Sequence, residues 1–432
     1  MWVKSWAKRW AWRWLPVVVL IAAWVGATGL ARAGDLPIER EPINYLAAPL
    51  DDPIARLQLK LDKGERTLSF DPEHGYLSSV LKELGISTTS QMLVFSKTSF
   101  QHMRISPKAP RAVYFRDDAY VAWVRGGDFL EISAVDPKQG GVYYLLTQEE
   151  DSEPTFERQT HNCLACHLTS KTQDVPGHLV RSLYADPGGM PIFSGGSYVT
   201  DQKSPMEHRW GGWYVTGTHG KQLHMGNILY RDRANPRRTD LKAGANVTKL
   251  NDRFDTSAYL TGHSDIVALM VLEHQTQMNN LITRAGYEAR LAGQSDDGKP
   301  SERVDEAIDG LLQYLLFSEE TPLTAPVVGT SGYAKYFAAL GPRDHQGRSL
   351  RDFDLKTRLF RYPCSYEIYS QAFDALPAAA LDSLYHRLFE VLTGKDQSSA
   401  FAHLTPKDRK AILEILRQTK TNLPDEWAAK AP

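Results

Sequence analysis

The chain has 432 residues, a formal net charge of −1, 42% hydrophobic residues and 10% aromatic residues. This length and composition are sufficient for two or three domains with a real hydrophobic core. The near-zero net charge gives no reason to expect nucleic acid or an anionic membrane surface as a partner.

The first 33 residues have the three parts of a signal peptide. A positively charged, tryptophan-rich stretch comes first, residues 15–31 form an apolar run, and Ala31-Arg-Ala33 offers a cleavage site before Gly34. An uncleaved anchor formed by residues 15–31 is the alternative, although this run is short for crossing a bilayer. We therefore predict a periplasmic or otherwise exported protein, with no membrane contact beyond such an anchor.

Residues 34–155 are predicted to form a β-rich domain. Two short helices are expected at 54–61 and 77–84, the second ending near Gly85. β-Branched and aromatic runs bounded by Gly, Pro or Asp then predict an antiparallel meander of about five strands. The five runs are Met92–Phe95, Arg111–Phe115, Tyr120–Val124, Phe129–Ile132 and Val142–Leu146.

The next segment contains a C-x-x-C-H motif, Cys163-Leu-Ala-Cys166-His167. Two thiols on one helical turn can form thioethers to the two vinyl groups of a haem, and the following His can bind the iron as proximal ligand. Chance placement in a chain with 3 Cys and 13 His gives only about 0.0006 such matches. The clustering of Cys163, Cys166 and His167 therefore indicates a chemical function and not chance.

At these residues the chain resembles the c-type cytochromes, and the resemblance covers this motif only. It implies one covalent haem c, held by Cys163 and Cys166 with His167 on the iron, and attached outside the cytoplasmic membrane. A zinc site is disfavoured because Cys364 is the only other thiol. A thioredoxin-like pair is disfavoured because polar residues 157–160, not an apolar strand, precede the motif. Cys364, with three tyrosines nearby, is predicted to be buried.

The haem-binding, cytochrome c-like segment is placed at 156–235 and a mainly helical domain at 236–432. The Gly- and aromatic-rich stretch 210–220 is interpreted as a wall of the haem site, with a tight hairpin in an ordinary sheet as the alternative. Helices are predicted at 264–291, 303–317, 354–369, 377–392 and from Thr405 to about residue 421. The fold class is thus α+β: a β-meander, a loop-rich haem segment and a mainly α-helical C-terminal part.

The sixth ligand of the iron decides the function, because a strong ligand makes an electron carrier and an open position allows peroxide or O₂ chemistry. The distal candidates are His224, Met225, His219 and Met190. The remaining alternative is a haem iron that has no second protein ligand. His178 and His274 are weaker candidates, and His274 is expected to be a hydrogen-bonded core residue. Partners of the haem propionates are expected among Arg181, Arg209 and Lys203.

Electron transfer is the function that the sequence favours, with a redox protein or a small-molecule electron donor or acceptor as partner. The alternative is a peroxidase- or oxygenase-like enzyme, suggested by a chain much longer than a carrier needs. In that case His219 or Arg209 would act as acid/base or charge stabiliser. A sensing or assembly module is a third hypothesis, for which no effector segment is present.

Overall fold

An antiparallel sheet of seven strands dominates the N-terminal half of the computed structural model, which describes residues 36–151, 153–294 and 301–428. The strands, in the order in which they lie side by side, are β6 (Glu157–Arg158), β5 (Gly140–Thr147), β4 (Phe129–Asp136), β3 (Ala119–Trp123), β2 (Arg111–Arg116), β1 (Met92–Val94) and β9 (Trp213–Tyr214). Consecutive pairing from β1 to β5 confirms the predicted meander. The predicted signal peptide 1–33 and the alternative anchor 15–31 lie outside the described residues.

Two further ladders have two strands each. β7 (Val180–Leu183) pairs with β8 (Ser197–Thr200), and β10 (Gly217–Thr218) pairs with β11 (Val328–Gly329). The first of these is a hairpin that follows the C-x-x-C-H motif in the chain, whereas the second joins strands that are far apart in sequence.

Nine α-helices occur in the described ranges, and six of them follow residue 264. They are α1 (Pro53–Asp62), α2 (Leu77–Leu84), α3 (Leu164–His167), α4 (Ile266–Ala292), α5 (Glu302–Leu315), α6 (Tyr333–Ala338), α7 (Gln371–Asp374), α8 (Ala378–Thr393) and α9 (Pro406–Thr419). The α+β fold class is therefore confirmed. From Leu36 onward the chain forms one compact unit.

The helix ends show how local chemistry defines these elements. Helix α2 stops at Gly85 (φ +65°), as predicted, because glycine adopts this conformation without steric cost. The Thr405 side chain caps α9 in a reciprocal capping box with Asp408. Helix α4 is capped by Asp265, whose carboxylate accepts two backbone N–H groups, and not by Ser264 as the predicted start implies, because the Ser264 hydroxyl donates to the Tyr214 carbonyl.

The helix predicted at 354–369 is wrong. The Asp354 carboxylate accepts backbone N–H groups of the following residues, which closes a turn there. Leu355 has a positive φ of 54°, a conformation outside the right-handed helix. Only the single 3₁₀ turn Tyr366–Tyr369 remains helical.

The two faces of the large sheet are covered differently. One face packs on α1 and α2 through a core that includes Ile54, Leu77 and Ile132. The opposite face, which presents Tyr120 and Val135, packs in a larger core with α4 and the C-terminal helices. No helix of the described ranges has both the length and the apolar character needed to cross a membrane. The C-x-x-C-H motif lies on the α4 side of the sheet, as its ring contacts below show.

Candidate haem-binding site

The motif forms the single helical turn α3, which puts its two thiols close in space. The His167 N–H donates to the Cys163 carbonyl at 3.0 Å, and the Cys166 N–H donates to the same carbonyl at 3.2 Å. Cys163 is half-buried, Cys166 is exposed, and both are free thiols. Burial, with the nearby charge of Glu131, raises the pKa of Cys163 to about 11, so this thiol is protonated at neutral pH.

The His167 imidazole is oriented by one hydrogen bond. Its Nδ1 lies 2.9 Å from the Gly177 carbonyl oxygen. Because a carbonyl only accepts, Nδ1 carries the proton and the lone pair is on Nε2. Burial lowers the pKa of His167, so the ring is neutral at neutral pH. A neutral imidazole with an available Nε2 and an anchored Nδ1 is the form that binds a metal ion.

Helix α4 holds the Gly177 carbonyl in place. The Asn280 amide donates to the His178 carbonyl at 2.8 Å, and its oxygen accepts the His178 N–H at 3.0 Å. A Cβ on Gly177 would lie 2.2 Å from the Asn280 oxygen, so this close approach requires glycine. The Tyr143 hydroxyl is a second donor to the Gly177 carbonyl. Nothing in the sequence pattern singles out Asn280, and the Pro-Gly pair at 176–177 is the only signal for Gly177.

Two tyrosines and a second histidine form the wall behind His167. The His167 ring centroid lies 4.9 Å from that of Tyr143 and 6.5 Å from that of His178. His178 is buried, its Nε2 is 2.9 Å from the Ser133 hydroxyl, and its ring packs 4.4 Å from that of Tyr120. Burial lowers the pKa of His178 to about 3, so it is a neutral packing residue in this arrangement.

A row of four side chains, of which Ala122 is buried and the other three are half-buried, crosses the sheet next to this wall. Val113, Ala122, Glu131 and Leu145 are direct cross-strand neighbours on β2, β3, β4 and β5. They lie on the same face as Tyr143, because side chains two residues apart on a strand share a face. Val113, Glu131 and Leu145 keep part of their surface exposed, which leaves a partly open, largely apolar strip beside the motif.

Two arginines supply positive charge there. Besides burial, the charges of Arg111 and Arg181 lower the pKa of His167. Arg111 forms an ion pair with Glu131 at 2.7 Å, and its Nε is buried without a hydrogen-bond partner among the described residues. Arg181 is one of the predicted propionate partners, whereas Arg111 is not part of that prediction.

The other two predicted propionate partners form ion pairs elsewhere. Arg209 is buried and pairs with Glu273 of α4 at 2.9 Å. Lys203 pairs with Glu319 at 2.8 Å near the surface.

Two of the distal candidates, His219 and His224, form a buried pair with ring centroids 4.7 Å apart. The His219 Nε2 accepts the Asn246 N–H at 2.9 Å, so its lone pair is occupied. The His224 ring packs 5.2 Å from that of Trp210. Burial lowers the pKa of His224 to about 3, which keeps it neutral.

The two methionine candidates are in contrasting environments. Met225 is buried in a small core, and its sulfur lies 3.6 Å from the Ser182 hydroxyl. Met190 is 47% exposed, on the loop that connects β7 to β8. Of the four candidates, Met190 alone presents its side chain to solvent.

The aromatic stretch 210–220 belongs in part to an ordinary sheet, although its two strands pair with β1 and β11 and not with each other; its interpretation as a wall of the haem site stays a prediction. Trp213 and Tyr214 form β9 at the edge of the sheet, as an ordinary strand does. The Trp213 indole donates to the Arg181 carbonyl at 2.8 Å, which places this indole beside β7. His274, by contrast, is a buried core residue bonded to Gln202 and Ser365, as predicted.

These residues fit a covalently bound haem. The site offers two free thiols on one turn, an available Nε2, a partly open apolar strip and an Arg111 nitrogen that has no partner in the described part of the chain. Within the described ranges, no group of three or more His, Cys, Asp and Glu side chains is close enough to hold a metal ion by itself. Comparison of the chain with protein-family models, with curated proteins and with solved structures gave no match.

Proposed function

We propose that the protein is an exported c-type cytochrome that transfers electrons through one covalently bound haem. The observation that carries this proposal is the His167 imidazole, tied through Nδ1 to the Gly177 carbonyl and preceded on the same turn by two free thiols. The signal peptide predicted from the sequence agrees with it, because haem attachment by this motif takes place outside the cytoplasmic membrane.

The roles of the residues follow from their positions. Cys163 and Cys166 would hold the porphyrin edge, and the Nε2 of His167 would bind the iron. Arg111 and Arg181 would neutralise the propionates. The bound group supplies a reversible one-electron iron couple. With the group bound, the hydrogen bond from His167 to the Gly177 carbonyl would make the imidazole a stronger donor to the iron, and this would lower the reduction potential.

Arg209 counts against the enzyme alternative in the form suggested by the sequence. That alternative assigned Arg209 to charge stabilisation at an open distal position. Its guanidinium is instead buried against Glu273 and donates to backbone carbonyls of Gln202 and Ser204. Electron transfer requires no such distal group.

The first test is the optical and EPR spectrum of the exported protein, ferric and ferrous, with and without CO. A low-spin signal in both states, indifferent to CO, is expected for an iron with two protein ligands. A high-spin ferrous form that binds CO would mean an open iron and would support the enzyme instead. A purified protein without a haem spectrum would overturn the proposal.

The sixth ligand is expected to be Met190. Its exposed thioether is available, whereas Met225 and His219 are buried and bonded elsewhere. Met190→Ala should therefore give a high-spin ferrous protein that binds CO. Met103→Ala is the matched control, because Met103 is also an exposed methionine. High-spin character in the control and not in Met190→Ala would assign the ligand to Met103.

Asn280→Ala tests the proximal support. The change removes both bonds to His178 and is expected to cost about 1–3 kcal/mol of unfolding free energy, because it leaves buried backbone groups without partners. Loosening of the Gly177 carbonyl should also raise the reduction potential. Urea titration and potentiometric titration measure the two effects. Asn279→Ala removes an equally buried amide from the same helix, and an equal rise in potential in that variant would contradict the assigned role of Asn280.

A further inference from the structure

Two loops beside the candidate site expose large apolar side chains. Met103 and Phe193 are the two most exposed large hydrophobic residues of the described ranges, at 79% and 73%, and Phe100 is 50% exposed. Phe100 and Met103 lie on the loop 97–106, and Phe193 lies on the loop 184–196. Exposed apolar groups gathered in one place are typical of an interaction surface.

The two loops are joined to one another and held in shape. The Lys97 N–H donates to the Gly189 carbonyl at 2.9 Å. A Cβ on Gly189, which has φ +84°, would lie 2.5 Å from the Phe95 carbonyl oxygen. The Asp186 carboxylate accepts the Met190 N–H at 3.0 Å. The apolar side chains are thus presented by two loops that a backbone hydrogen bond joins, and we call them together the loop face (Phe100, Met103 and Phe193).

The loop face borders the candidate haem site. The Ser99 hydroxyl donates to Glu131, and the Gln101 amide donates to the Phe129 carbonyl at 3.0 Å. Glu131 is the cross-strand neighbour of Leu145, on the face of the sheet whose Tyr143 ring lies 4.9 Å from that of His167. The second loop connects the strands of the hairpin that carries Arg181. A partner seated on the loop face would therefore approach the haem.

A basic segment, residues 231–242, flanks the loop face. It contains five cationic and two acidic side chains, all exposed. It is attached to the second loop, because Arg237 donates to the Gly195 carbonyl at 3.1 Å and Pro236 packs against the same glycine. Arg231, Arg238 and Lys242 make no ion pair with any described residue. In a chain of net charge −1, this segment is a local positive field.

We propose that the loop face and the basic segment together dock an acidic redox protein that exchanges electrons with the haem. The inference rests on the proposed function. An apolar centre with a charged rim is the anatomy of a specific protein interface, and small interfaces of this kind serve transient electron-transfer complexes. The positive rim would select an acidic partner and accelerate its association.

The test uses the haem-loaded protein and a reduced acidic flavodoxin as the probe donor, followed by stopped flow. The triple variant Arg231→Glu, Arg238→Glu, Lys242→Glu should lower the second-order rate constant about tenfold at low salt and remove most of its salt dependence. The matched control reverses three exposed lysines of the α1–α2 region and changes the net charge equally. Its members are Lys60→Glu, Lys63→Glu and Lys82→Glu. The control should stay within about twofold of the unmodified protein.

A small neutral hydroquinone separates failure of this inference from failure of the proposed function. It should reduce all three proteins at the same rate, because it needs no docking. A protein that takes up no electron from the hydroquinone would contradict the proposed function itself. Equal flavodoxin rates in the two triple variants, with normal hydroquinone reduction, would overturn the docking surface alone.

Phe193→Ser distinguishes a docking residue from other uses of the loop face. It should slow flavodoxin reduction and leave the haem spectrum and potential unchanged. A changed haem spectrum would mean that Phe193 covers the haem, and loss of a concentration-dependent dimer in sedimentation would mean that a second copy occupies the face. Loss of binding to phosphatidylglycerol vesicles with unchanged flavodoxin rates would assign the face to a membrane. Each of these three results overturns the proposal.

Discussion

Replacement of both Cys163 and Cys166 by serine is expected to give a protein with no covalent haem. A serine hydroxyl does not add to a vinyl group under conditions in which a thiol does, so neither thioether can form. Cys364→Ser is the matched control. Cys364 is buried and burial raises its pKa, so it remains a protonated core thiol away from this chemistry, and the control should keep a full haem.

Haem staining of a denaturing gel and the intact mass of the exported protein measure this result. The mass of the unmodified protein should exceed that of the mature chain by one haem, and the same spectrum reports whether residues 1–33 are removed. Covalent haem in the double serine variant would place the attachment elsewhere in the chain. A chain that carries zinc and no haem would instead assign the Cys pair to a zinc site.

The fold was predictable where the signal is local. The strands β1 to β5 follow from runs of β-branched and aromatic residues separated by turn residues, and each run is short enough to be recognised without its neighbours. Helix α9 follows from Thr405 and Pro406 at its start, which are a cap and a first-turn residue by their own chemistry. These features depend on a few consecutive side chains.

Prediction failed where one side chain redirected the backbone. At residue 354 an aspartate bonds to the next backbone N–H groups and closes a turn, although the residues that follow have an acceptable helical pattern. At the start of α4, Ser264 and Asp265 are both good capping residues. The choice between them depends on the Tyr214 carbonyl, which is 50 residues away in the chain and takes the serine hydroxyl.

In the candidate site, too, the local pattern is predictable from the sequence and the long-range contacts are not. The C-x-x-C-H motif is a local pattern of five residues, whereas the side chains that hold His167 and Gly177 in place come from distant parts of the chain. Asn280 is 102 residues from His178 and reads as one polar residue among many in a long helix. Arg111 and Glu131 come from the meander, where a charged residue ordinarily marks the solvent face. These contacts follow from the way α4 and the sheet pack, which the pattern of either element alone does not contain.

Arg209 is the residue for which structure and sequence interpretation differ most, and its removal is expected to be strongly destabilising. Arg209 is 5% exposed, and its guanidinium pairs with Glu273, which is 0% exposed. It also donates to the Gln202 and Ser204 carbonyls. Arg209→Met leaves a buried carboxylate without its counterion, and such losses cost about 3–5 kcal/mol of unfolding free energy.

The loss should depend on pH in a defined direction. Burial raises the pKa of Glu273 to about 7, against the opposing effect of Arg209. The folded protein therefore binds the proton of Glu273 more tightly than the unfolded chain does. The stability that this proton contributes is fully present below the ordinary pKa of a glutamate and is lost as the pH rises to about 7. The difference between the ordinary pKa of a glutamate and the raised pKa of Glu273 corresponds to about 3 kcal/mol of unfolding free energy. Glu273→Gln should flatten the pH dependence of the urea midpoint over this window.

The decisive comparison is between Arg209→Met at about pH 5 and at about pH 8, where Glu273 is protonated and ionised respectively. The destabilisation should be larger at the higher pH, and the double variant Arg209→Met, Glu273→Leu should recover much of it, because it removes the buried charge together with its partner. Lys203→Met, which breaks an ion pair near the surface, should leave the urea midpoint nearly unchanged. Equal losses at both pH values would contradict the raised pKa. A stable Arg209→Met protein with a shifted reduction potential would instead restore Arg209 to the haem propionate role that the sequence suggested.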